Sequence, residues 1–433
     1  MKKYLWIFFS MLLFSCSKLI EIELPKNQIT KEDVFKDQAT LESALVNIYA
    51  RFEKQISHHT KYLQTYVGVV HYQGSTVETM EYASQHLTPH NGWNNNIWTD
   101  LYGIIYQCND IIEELPNSPL SESSISQYVA EARFLRAYAY SKLLSLFDHI
   151  PLLLSTDVQQ NRLAYQTDGQ QVVKQIIDDL QFAKTHLPDQ LSEGKTRASK
   201  WSASALLARI YFQQKDWNKA VEICDEVLHS GTFLPLENID AVFNSSSKET
   251  ILQLWTQNGF LSESTSIIPD GNDAIPQYPL DIDFVHSFDA GDLRKSHWIG
   301  QNTLAPNGAT YYYPFKYKNA EQNTSNPEYL IAFRAAELVL IRAESLAHLN
   351  NIEGAIDDLN RIRNRAGLTL INTPVDKTSL LDLIDTERSH EYFMEEWILY
   401  TTYRRAHPED KTVFPIPQDE ITYNPNLIQN EGY

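Results

Sequence analysis

Two stretches of the sequence, 207–228 and 342–362, show the same spacing of small and large apolar residues at an offset of 135 positions. The aligned pairs are Ala208 with Ala343, Tyr211 with Leu346, Trp217 with Ile352 and Ala220 with Ala355. Small alanines let two helices approach closely while the large residues fill the groove between them, as in tetratricopeptide units. Because the two copies are not adjacent in the chain, the sequence predicts tetratricopeptide-like helix pairs in a scaffold that also holds an inserted region.

Helical periodicity extends through most of the remaining chain. Apolar residues recur at i, i+3, i+4 and i+7 in long segments, which is typical of amphipathic helices. These segments are 38–54, 96–115, 126–147, 169–187, 199–214, 216–231, 327–349 and 351–367. The pattern predicts a mainly α fold, with a helical scaffold over 30–247 and 327–406 and a C-terminal tail over 407–433.

Two stretches interrupt this pattern. The longer one, about 248–326, is rich in Gly, Pro, Ser and Asn, a composition that disfavours long regular elements. Within it, β segments are predicted at TILQLW (250–255), LRKSHWIG (293–300) and TYYYPFKY (310–317), the last two from their aromatic content. The shorter stretch, 68–96, is predicted to be irregular. Because loops on a rigid scaffold often carry binding sites, both stretches are candidates for ligand contact.

The N-terminus has the layout of a secretory signal peptide. Lys2 and Lys3 precede an apolar run over 4–14, and the small Ser15 comes before Cys16. The run is shorter than the roughly 20 residues that a membrane-spanning helix needs. The end of the run resembles the lipobox of bacterial lipoproteins, which predicts removal of residues 1–15, acylation of the cysteine sulfur and one lipid-anchored domain over 16–433. The alternative is a chance cysteine behind a simple secretion signal.

Charge and cysteine content narrow the function classes. The formal charge is −19, and removal of residues 1–15 takes away two lysines and no acid, so the charge falls to −21. Such a surface repels nucleic acid and anionic lipid, which excludes nucleic-acid binding as the leading function. Cys108 and Cys224 fall at helical apolar positions, where a free cysteine behaves as a small core hydrophobe. A disulfide between them is the alternative.

The sequence contains no arrangement typical of an enzyme. Pairs of adjacent acids lie in segments predicted to be helical, at Asp178-Asp179, Asp357-Asp358 and Glu395-Glu396. Neighbouring side chains on a helix point about 100° apart, so the two acids of a pair cannot act together on one substrate atom. We predict that these acids face solvent. Neither a nucleophile elbow nor a phosphate-binding glycine loop occurs. We therefore predict no catalytic residues.

Several histidines raise the hypothesis of a metal site. They are His58, His59, His71, His86 and His90. Their spacing matches neither HExxH nor a paired Cys/His motif, the usual patterns of zinc ligands. We therefore predict polar loop histidines, with no metal and no cofactor.

Aromatic and amide residues in the two irregular stretches are the candidate ligand contacts. Sugar rings stack their flat C–H faces on indole or phenol rings, and sugar hydroxyls need amide or charged partners. The candidates are Tyr72, Trp93, Asn94 and Asn95 in the first stretch and Trp255 and Tyr278 in the second. Each aromatic residue taken alone is also consistent with a packing role. Core positions are predicted for Trp98, Tyr102, Trp201 and Trp217, while Trp298 is ambiguous.

Longer motifs follow one another in a recognisable order. They are LPKNQITKEDVF, the helix carrying Trp98, Tyr102, Ile105 and Asn109, the segment 130–154, the segment 333–368 and the terminal FPIPQDEITYNPNLIQNEGY. Together they resemble the SusD/RagB family, cell-surface lipoproteins that capture nutrients beside a TonB-dependent outer-membrane transporter. The segment 384–406 keeps Glu387, Arg388, Glu391 and Glu396 of the family pattern but lacks its aspartate.

The resemblance implies a binding protein that is not an enzyme, acylated at Cys16, held at the outer membrane and exposed at the cell surface. It implies that the helices pack against a SusC-like TonB-dependent transporter while the loop face captures a glycan, either an oligosaccharide or a polysaccharide. A peptide ligand is the alternative, since part of the family serves peptide uptake. A lipid-anchored hydrolase would require clustered acids or a nucleophile, which the sequence pattern does not provide.

Overall fold

Helices dominate the computed structural model, which describes residues 35–304, 308–319, 321, 323, 325–396, 398–407 and 413–433, with backbone only at 261 and 262. The predicted signal peptide and the lipidation residue Cys16 lie outside the described residues, so both remain predictions. Within these ranges no helix combines the length and the apolar character needed to cross a membrane.

Sixteen α-helices lie in the described ranges. In chain order they are α1 Gln38–Tyr66, α2 Val77–Ala83, α3 Gly92–Glu114, α4 Glu122–Phe147, α5 Val158–Asn161, α6 Gly169–His186, α7 Lys200–Gln213, α8 Trp217–Leu228, α9 Leu261–Ile267, α10 Ile282–His286, α11 Leu293–Trp298, α12 Ala335–His348, α13 Ile352–Arg365, α14 Lys377–Tyr392, α15 Ile398–Ala406 and α16 Gln418–Tyr423. The predicted mainly α fold is confirmed.

Six short strands pair as three antiparallel two-stranded sheets in the described part of the chain. They are β1 Ile150–Pro151 with β2 Gln166–Thr167, β3 Thr250–Leu254 with β6 Leu330–Arg334, and β4 Ile299–Thr303 with β5 Thr310–Pro314. In the last sheet Ile299 lies opposite Pro314 and Thr303 opposite Thr310. The strands predicted at 250–255 and 310–317 are therefore present, each slightly shorter than predicted.

The two aligned stretches form matching helix hairpins, α7–α8 and α12–α13. Lys215 and Asn350, at equivalent turn positions, have φ of 58° and 63°, a backbone conformation that closes a tight turn after a helix. Asp216 and Asn351 then cap the second helix of each hairpin by accepting from a backbone N–H in its first turn. The alanines of the repeat, Ala208, Ala220, Ala343 and Ala355, are fully buried. The predicted hairpin repeat thus extends to its turn and cap geometry.

The prediction that the paired acids all face solvent is wrong. Asp179 is buried and accepts from Nε and NH2 of Arg136 at 2.8 Å each. Asp358 is likewise buried and accepts from Nε and NH2 of Arg342 at 2.7 Å each. A carboxylate tolerates burial when a bidentate guanidinium satisfies it. Only the first acid of each of these two pairs is exposed.

Glu395 and Glu396 are also buried, and they lie in a turn after α14 instead of on a helix. Nε of Arg334 donates to Glu395 at 2.7 Å, and NH1 of Arg209 donates to Glu396 at 2.9 Å. The partners come from distant parts of the chain, so the pairing depends on tertiary structure. The prediction that both acids face solvent on a helix is therefore wrong.

A network of buried ion pairs joins the inserted region to the helical scaffold. NH2 of Arg294 donates to Asp292 at 2.7 Å and to Glu387 of α14 at 2.6 Å. Nζ of Lys316 donates to Glu395 at 2.6 Å. All five side chains are at most 3% exposed. Removing one partner from such a pair leaves an uncompensated buried charge, so this network fixes where the insertion sits.

The β segment predicted at 293–300 is wrong over its first six residues, which form α11. The Asp292 side chain accepts from the backbone N–H of Arg294 at 2.9 Å, and this N-cap starts the helix. Trp298 ends α11, is fully buried and donates from Nε1 to the Ile239 carbonyl at 3.0 Å. It is therefore a core residue, and the strand begins only after it.

The remaining core predictions agree with the structure. Trp98 is buried, and the three half-buried residues Tyr102, Trp201 and Trp217 pack against the same core. Cys108 and Cys224 are both buried and free, and burial raises the pKa of each thiol. The disulfide alternative is therefore wrong, and both cysteines act as small core residues.

Candidate ligand-binding site

The two irregular stretches meet in space and pair through their backbones. The hydrogen bonds run from His71 N to Pro279 O (2.8 Å), from Gln73 N to Gln277 O (2.9 Å) and from Asp281 N to Val69 O (3.0 Å). An antiparallel bridge between Val70 and Leu280 lies among them. The stretch after α1 and the inserted region therefore share one short, strand-like contact, which positions their side chains.

Tyr72 and Tyr278 come together at this contact. Their ring centroids are 5.3 Å apart and their planes differ by 33°. The Tyr72 hydroxyl donates to Thr76 at 2.9 Å, and the Tyr72 ring lies over Gly74, where a Cβ atom would overlap it. Tyr72 is partly exposed while Tyr278 is buried beneath it. Tyr72 thus presents a phenol ring whose position is fixed from several sides.

A second ring pair lies beside the first. Trp93 stacks on Tyr62 of α1 with centroids 5.5 Å apart and planes at 18°, and His58 meets the Trp93 ring at 5.1 Å. The Thr79 side chain lies close enough to both Tyr62 and Tyr278 to oppose the rise that burial causes in the pKa of each, so the two pairs share this neighbour. We call His58, Tyr62, Tyr72, Trp93 and Tyr278 the aromatic cluster. Offset rings of this kind stabilise one another beyond the area they bury.

One ion pair lies against the aromatic cluster. Nζ of Lys61 donates to Glu263 at 2.7 Å and lies 5.9 Å from the Tyr278 ring centroid. Burial alone would raise the pKa of Glu263, but His58, whose Nδ1 lies 3.6 Å from the carboxylate, and the charge of Lys61 outweigh it and lower the pKa to about 2. The glutamate is therefore ionised throughout the physiological range and holds the lysine in place.

The histidines do not share one environment, as the loop prediction assumed. His58 and His59 lie on α1, and His59 is buried, which lowers its pKa to about 3 and keeps it neutral. His71 is exposed and its Nε2 lies 2.9 Å from Asp281. Among the described residues no group of three or more His, Cys, Asp or Glu is placed to hold a metal ion.

Trp93, Asn94 and Asn95 lie in the first turn of α3 instead of in a loop. The helix starts early because the Asn91 side chain accepts from the Asn94 backbone N–H at 3.0 Å. Asn94 is fully buried and its Nδ2 donates to the Pro415 carbonyl at 2.7 Å. It ties α3 to the C-terminal tail and presents no surface to a ligand. Asn95 is half-buried, beside Trp93 in sequence.

Trp255 stands apart from the aromatic cluster. It follows β3, is 47% exposed, and forms no ring contact with the cluster in the described part of the chain. Two residues further on, Gln257 begins the lining of a cavity of about 150 Å3 that also includes Asn258, Asn319 and Tyr329. The structure thus brings Tyr72, Trp93 and Tyr278 together and leaves Trp255 at a separate position.

Sequence reasoning missed His58, Lys61 and Tyr62 as members of this region. The apolar pattern predicted a helix ending at residue 54, whereas α1 continues to Tyr66. Its last three turns are buried on all sides and carry polar residues, so they lack an amphipathic pattern. The useful signal was the i, i+4 spacing of His58 and Tyr62, which places both rings on one helix face.

Two family models match the chain. A SusD-like model described as "Starch-binding associating with outer membrane" covers residues 21–212, and a second model, described as the SusD family, covers 296–405. The chain belongs to the SusD/RagB family. The first match ends before the inserted region and the second begins within it, and together they include α1, α3 and the hairpin α12–α13. The family resemblance predicted from the motifs is confirmed.

Individual relatives agree over almost the full chain. A SusD-like protein from Formosa agariphila, P25, is 23% identical, with 99% of this chain and 98% of that protein aligned. A SusD superfamily structure from Bacteroides vulgatus has a TM-score of 0.82 at 17% identity, covering 92% of this chain and all of that one. A laminarin-binding SusD-like protein has a TM-score of 0.76 at 22% identity with the same coverage. The likeness to the solved structures establishes the fold.

Proposed function

We propose that this SusD/RagB family protein is a glycan-binding lipoprotein, not an enzyme, which captures an oligosaccharide or polysaccharide at the outer membrane. The observation that carries the proposal is the Tyr72–Tyr278 ring pair, built where two distant irregular stretches pair through their backbones. A structural neighbour is a laminarin-binding SusD-like protein, which supports a carbohydrate as the ligand class.

The proposed mode of binding uses one fixed ring and polar groups at its rim. A pyranose C–H face would lie on the exposed face of Tyr72, while Tyr278 supports that ring from below. His71 and Asp281, which contact each other beside the ring, would exchange hydrogen bonds with sugar hydroxyls. Because these groups are pre-positioned by the backbone pairing, little ordering is required when the ligand binds.

The second half of the proposal concerns placement and delivery. Acylation of Cys16 would hold the protein at the outer membrane, since each buried CH2 of an acyl chain contributes about 0.8 kcal/mol of membrane affinity. A SusC-like TonB-dependent transporter would receive the glycan from the loop face. Incorporation of labelled palmitate in cells, compared between wild type and Cys16→Ser, tests the anchor: label in the wild type alone supports it, and equal label in both contradicts it.

Affinity electrophoresis tests the ligand class. The purified protein is run through native gels that contain laminarin, starch, xylan or no polysaccharide, and binding to a mixed peptide pool is measured in parallel. We expect retardation in at least one polysaccharide gel. Saturable binding to peptides with no retardation by any polysaccharide would replace the glycan with the peptide alternative.

A further inference from the structure

A cavity of about 340 Å3 lies within the helical scaffold, between α4, α6, α7, α12, α14 and α15. None of its lining residues belongs to the aromatic cluster. Its size falls within the range of small-molecule sites, about 300–1,000 Å3. It is therefore a second concave region, separate from the loop face.

Basic side chains outnumber acidic ones in the lining of this cavity. Five basic side chains line it, against three acids. The helix α15 contributes two of the arginines, Arg404 and Arg405, and the segment Ile398–Ala406 contains no acid. Arg209 pairs with Glu337 and Glu396, and Arg404 pairs with Asp148 at 3.1 Å, so each of the three lining acids pairs with a cation other than Arg388 or Arg405.

Arg388 and Arg405 share one buried carboxylate. Oε2 of Glu344 lies 2.6 Å from NH2 of Arg388 and 3.1 Å from NH2 of Arg405. Asp385, whose side chain is 56% exposed, lies 2.5 Å from a guanidinium nitrogen of Arg388 and 3.8 Å from one of Arg405. Burial lowers the pKa of Arg405, and the adjacent charge of Arg388 lowers it further. The two guanidinium groups therefore share one buried acid and one partly exposed acid.

An apolar surface lies next to these two arginines. The guanidinium carbons of Arg405 and Arg388 lie 4.4 Å and 5.4 Å from the centroid of the Phe212 ring, and Phe212 itself lines the cavity. Leu340 and Ile398 line the same space. A ligand that enters would meet paired cations and an apolar wall together.

One hydroxyl in the cavity wall lacks a partner. Tyr392 lines the cavity and is 1% exposed, and its Oη is a buried atom with no hydrogen-bond partner among the described side chains and backbone. An unsatisfied buried hydroxyl destabilises the folded protein, because it has lost its hydrogen bonds to water. A ligand oxygen within reach would remove that destabilisation.

We propose that this cavity binds a small organic carboxylate, whose anionic group meets Arg405 and Arg388 and whose body lies along Phe212 toward the Tyr392 hydroxyl. A guanidinium fork suits a carboxylate because it offers parallel N–H donors. The inference does not depend on the proposed glycan site, since the two regions share no residues.

Calorimetric titration of the purified protein tests this proposal. The probes are benzoate, which has an apolar body, and glucuronate, which has a hydroxylated body, each compared with its neutral counterpart, benzamide or glucose. We expect saturable binding of at least one acid at millimolar concentration or below, at least about tenfold tighter than its neutral counterpart, because a charge-assisted pair is lost without the carboxylate.

Three variants locate the binding. Arg405→Gln should lower the affinity for the acid about tenfold or more. Tyr392→Phe, which removes only the hydroxyl, should lower it severalfold. Arg162→Gln, at an exposed arginine outside the cavity, should change nothing. If Arg405→Gln fails to fold, Tyr392→Phe alone decides. Absence of saturable binding by both acids, or affinity unchanged in Tyr392→Phe and in any folded Arg405→Gln, would overturn the proposal.

Discussion

The inserted region is held to the scaffold in two different ways. At Arg294 it is fixed by buried ion pairs with Asp292 and Glu387 that lie out of water. At Tyr278 it contacts the stretch after α1 through a few backbone hydrogen bonds and one ring contact with Tyr72. The first attachment depends on charges that cannot be left unpaired, and the second on modest contacts near the surface.

The two attachments are therefore expected to have different roles. A buried ion pair holds one geometry, because separating its members leaves each buried charge with neither a partner nor water. Backbone bonds and rings near the surface open at lower cost, as is usual for ligand-binding segments. We therefore expect loss of a buried ion-pair partner, at Arg294 or at Glu263 beside the aromatic cluster, to alter stability, and loss of the exposed Tyr72 ring to alter ligand affinity.

The largest expected effect is at the buried end. Arg294→Met removes the cation that Asp292 and Glu387 share, and we expect the free energy of unfolding to fall by about 3–5 kcal/mol. Urea denaturation followed by circular dichroism measures the change. The matched control is Lys174→Met, which breaks the exposed pair with Asp178 and should cost less than about 0.5 kcal/mol. Similar losses in both variants would contradict the role assigned to the network.

A smaller effect is expected at Glu263, beside the aromatic cluster. Its pKa falls from 4.5 to about 2 in the folded protein, so its ionised form stabilises the fold above pH 4.5, and that contribution is lost as the pH falls toward 2. Glu263→Gln should therefore cost about 3 kcal/mol at pH 7, with the difference from wild type shrinking as the pH falls through this window. A difference that does not change with pH would contradict the account.

Glu53 should show the opposite pH dependence. Burial, together with the charge of Glu263, raises the pKa of Glu53 to about 7. Its contribution to stability is therefore present below pH 4.5 and is lost as the pH rises through 7. Glu53→Gln should unfold at higher urea than wild type at pH 8 and at the same urea at pH 4. The exposed control Glu193→Gln should unfold at the same urea concentration as wild type at both pH values. Identical behaviour of the two variants would refute the prediction.

The smallest effect is expected at Trp255. Because this residue is 47% exposed and lies outside the aromatic cluster, Trp255→Ala should change the free energy of unfolding by less than about 1 kcal/mol. It should also weaken glycan retardation in affinity gels less than Tyr72→Ala does. A larger loss of retardation in Trp255→Ala would move the site toward the cavity that begins at Gln257.

The helix hairpins were predictable because their information is local. Periodic alanines, a turn residue and a capping Asp216 or Asn351 lie within one short segment, and each acts on its neighbours. The resemblance of whole motifs to the SusD/RagB family then fixed the overall fold. For the candidate site, the sequence supplied Tyr72 and Tyr278 but not their contact.

The errors arose where the environment of a residue depends on distant partners. Glu395 and Asp179 were expected in solvent, because no nearby feature of the sequence indicates that Arg334 and Arg136 are their buried partners. Lys61 was missed because a helix buried on all sides has no apolar stripe to reveal its length. Polar residues in a core are assigned correctly only when the tertiary contacts are known.

The most direct test of the central claim is the affinity of the Tyr72 ring for a glycan. Calorimetry would titrate whichever polysaccharide retards the protein into wild type, Tyr72→Ala, and the matched control Tyr165→Ala, whose side chain is 71% exposed and lies outside the aromatic cluster. Loss of a stacked ring should weaken binding about tenfold or more in Tyr72→Ala and leave Tyr165→Ala unchanged. Equal affinity in all three proteins would show that the glycan does not bind at the aromatic cluster.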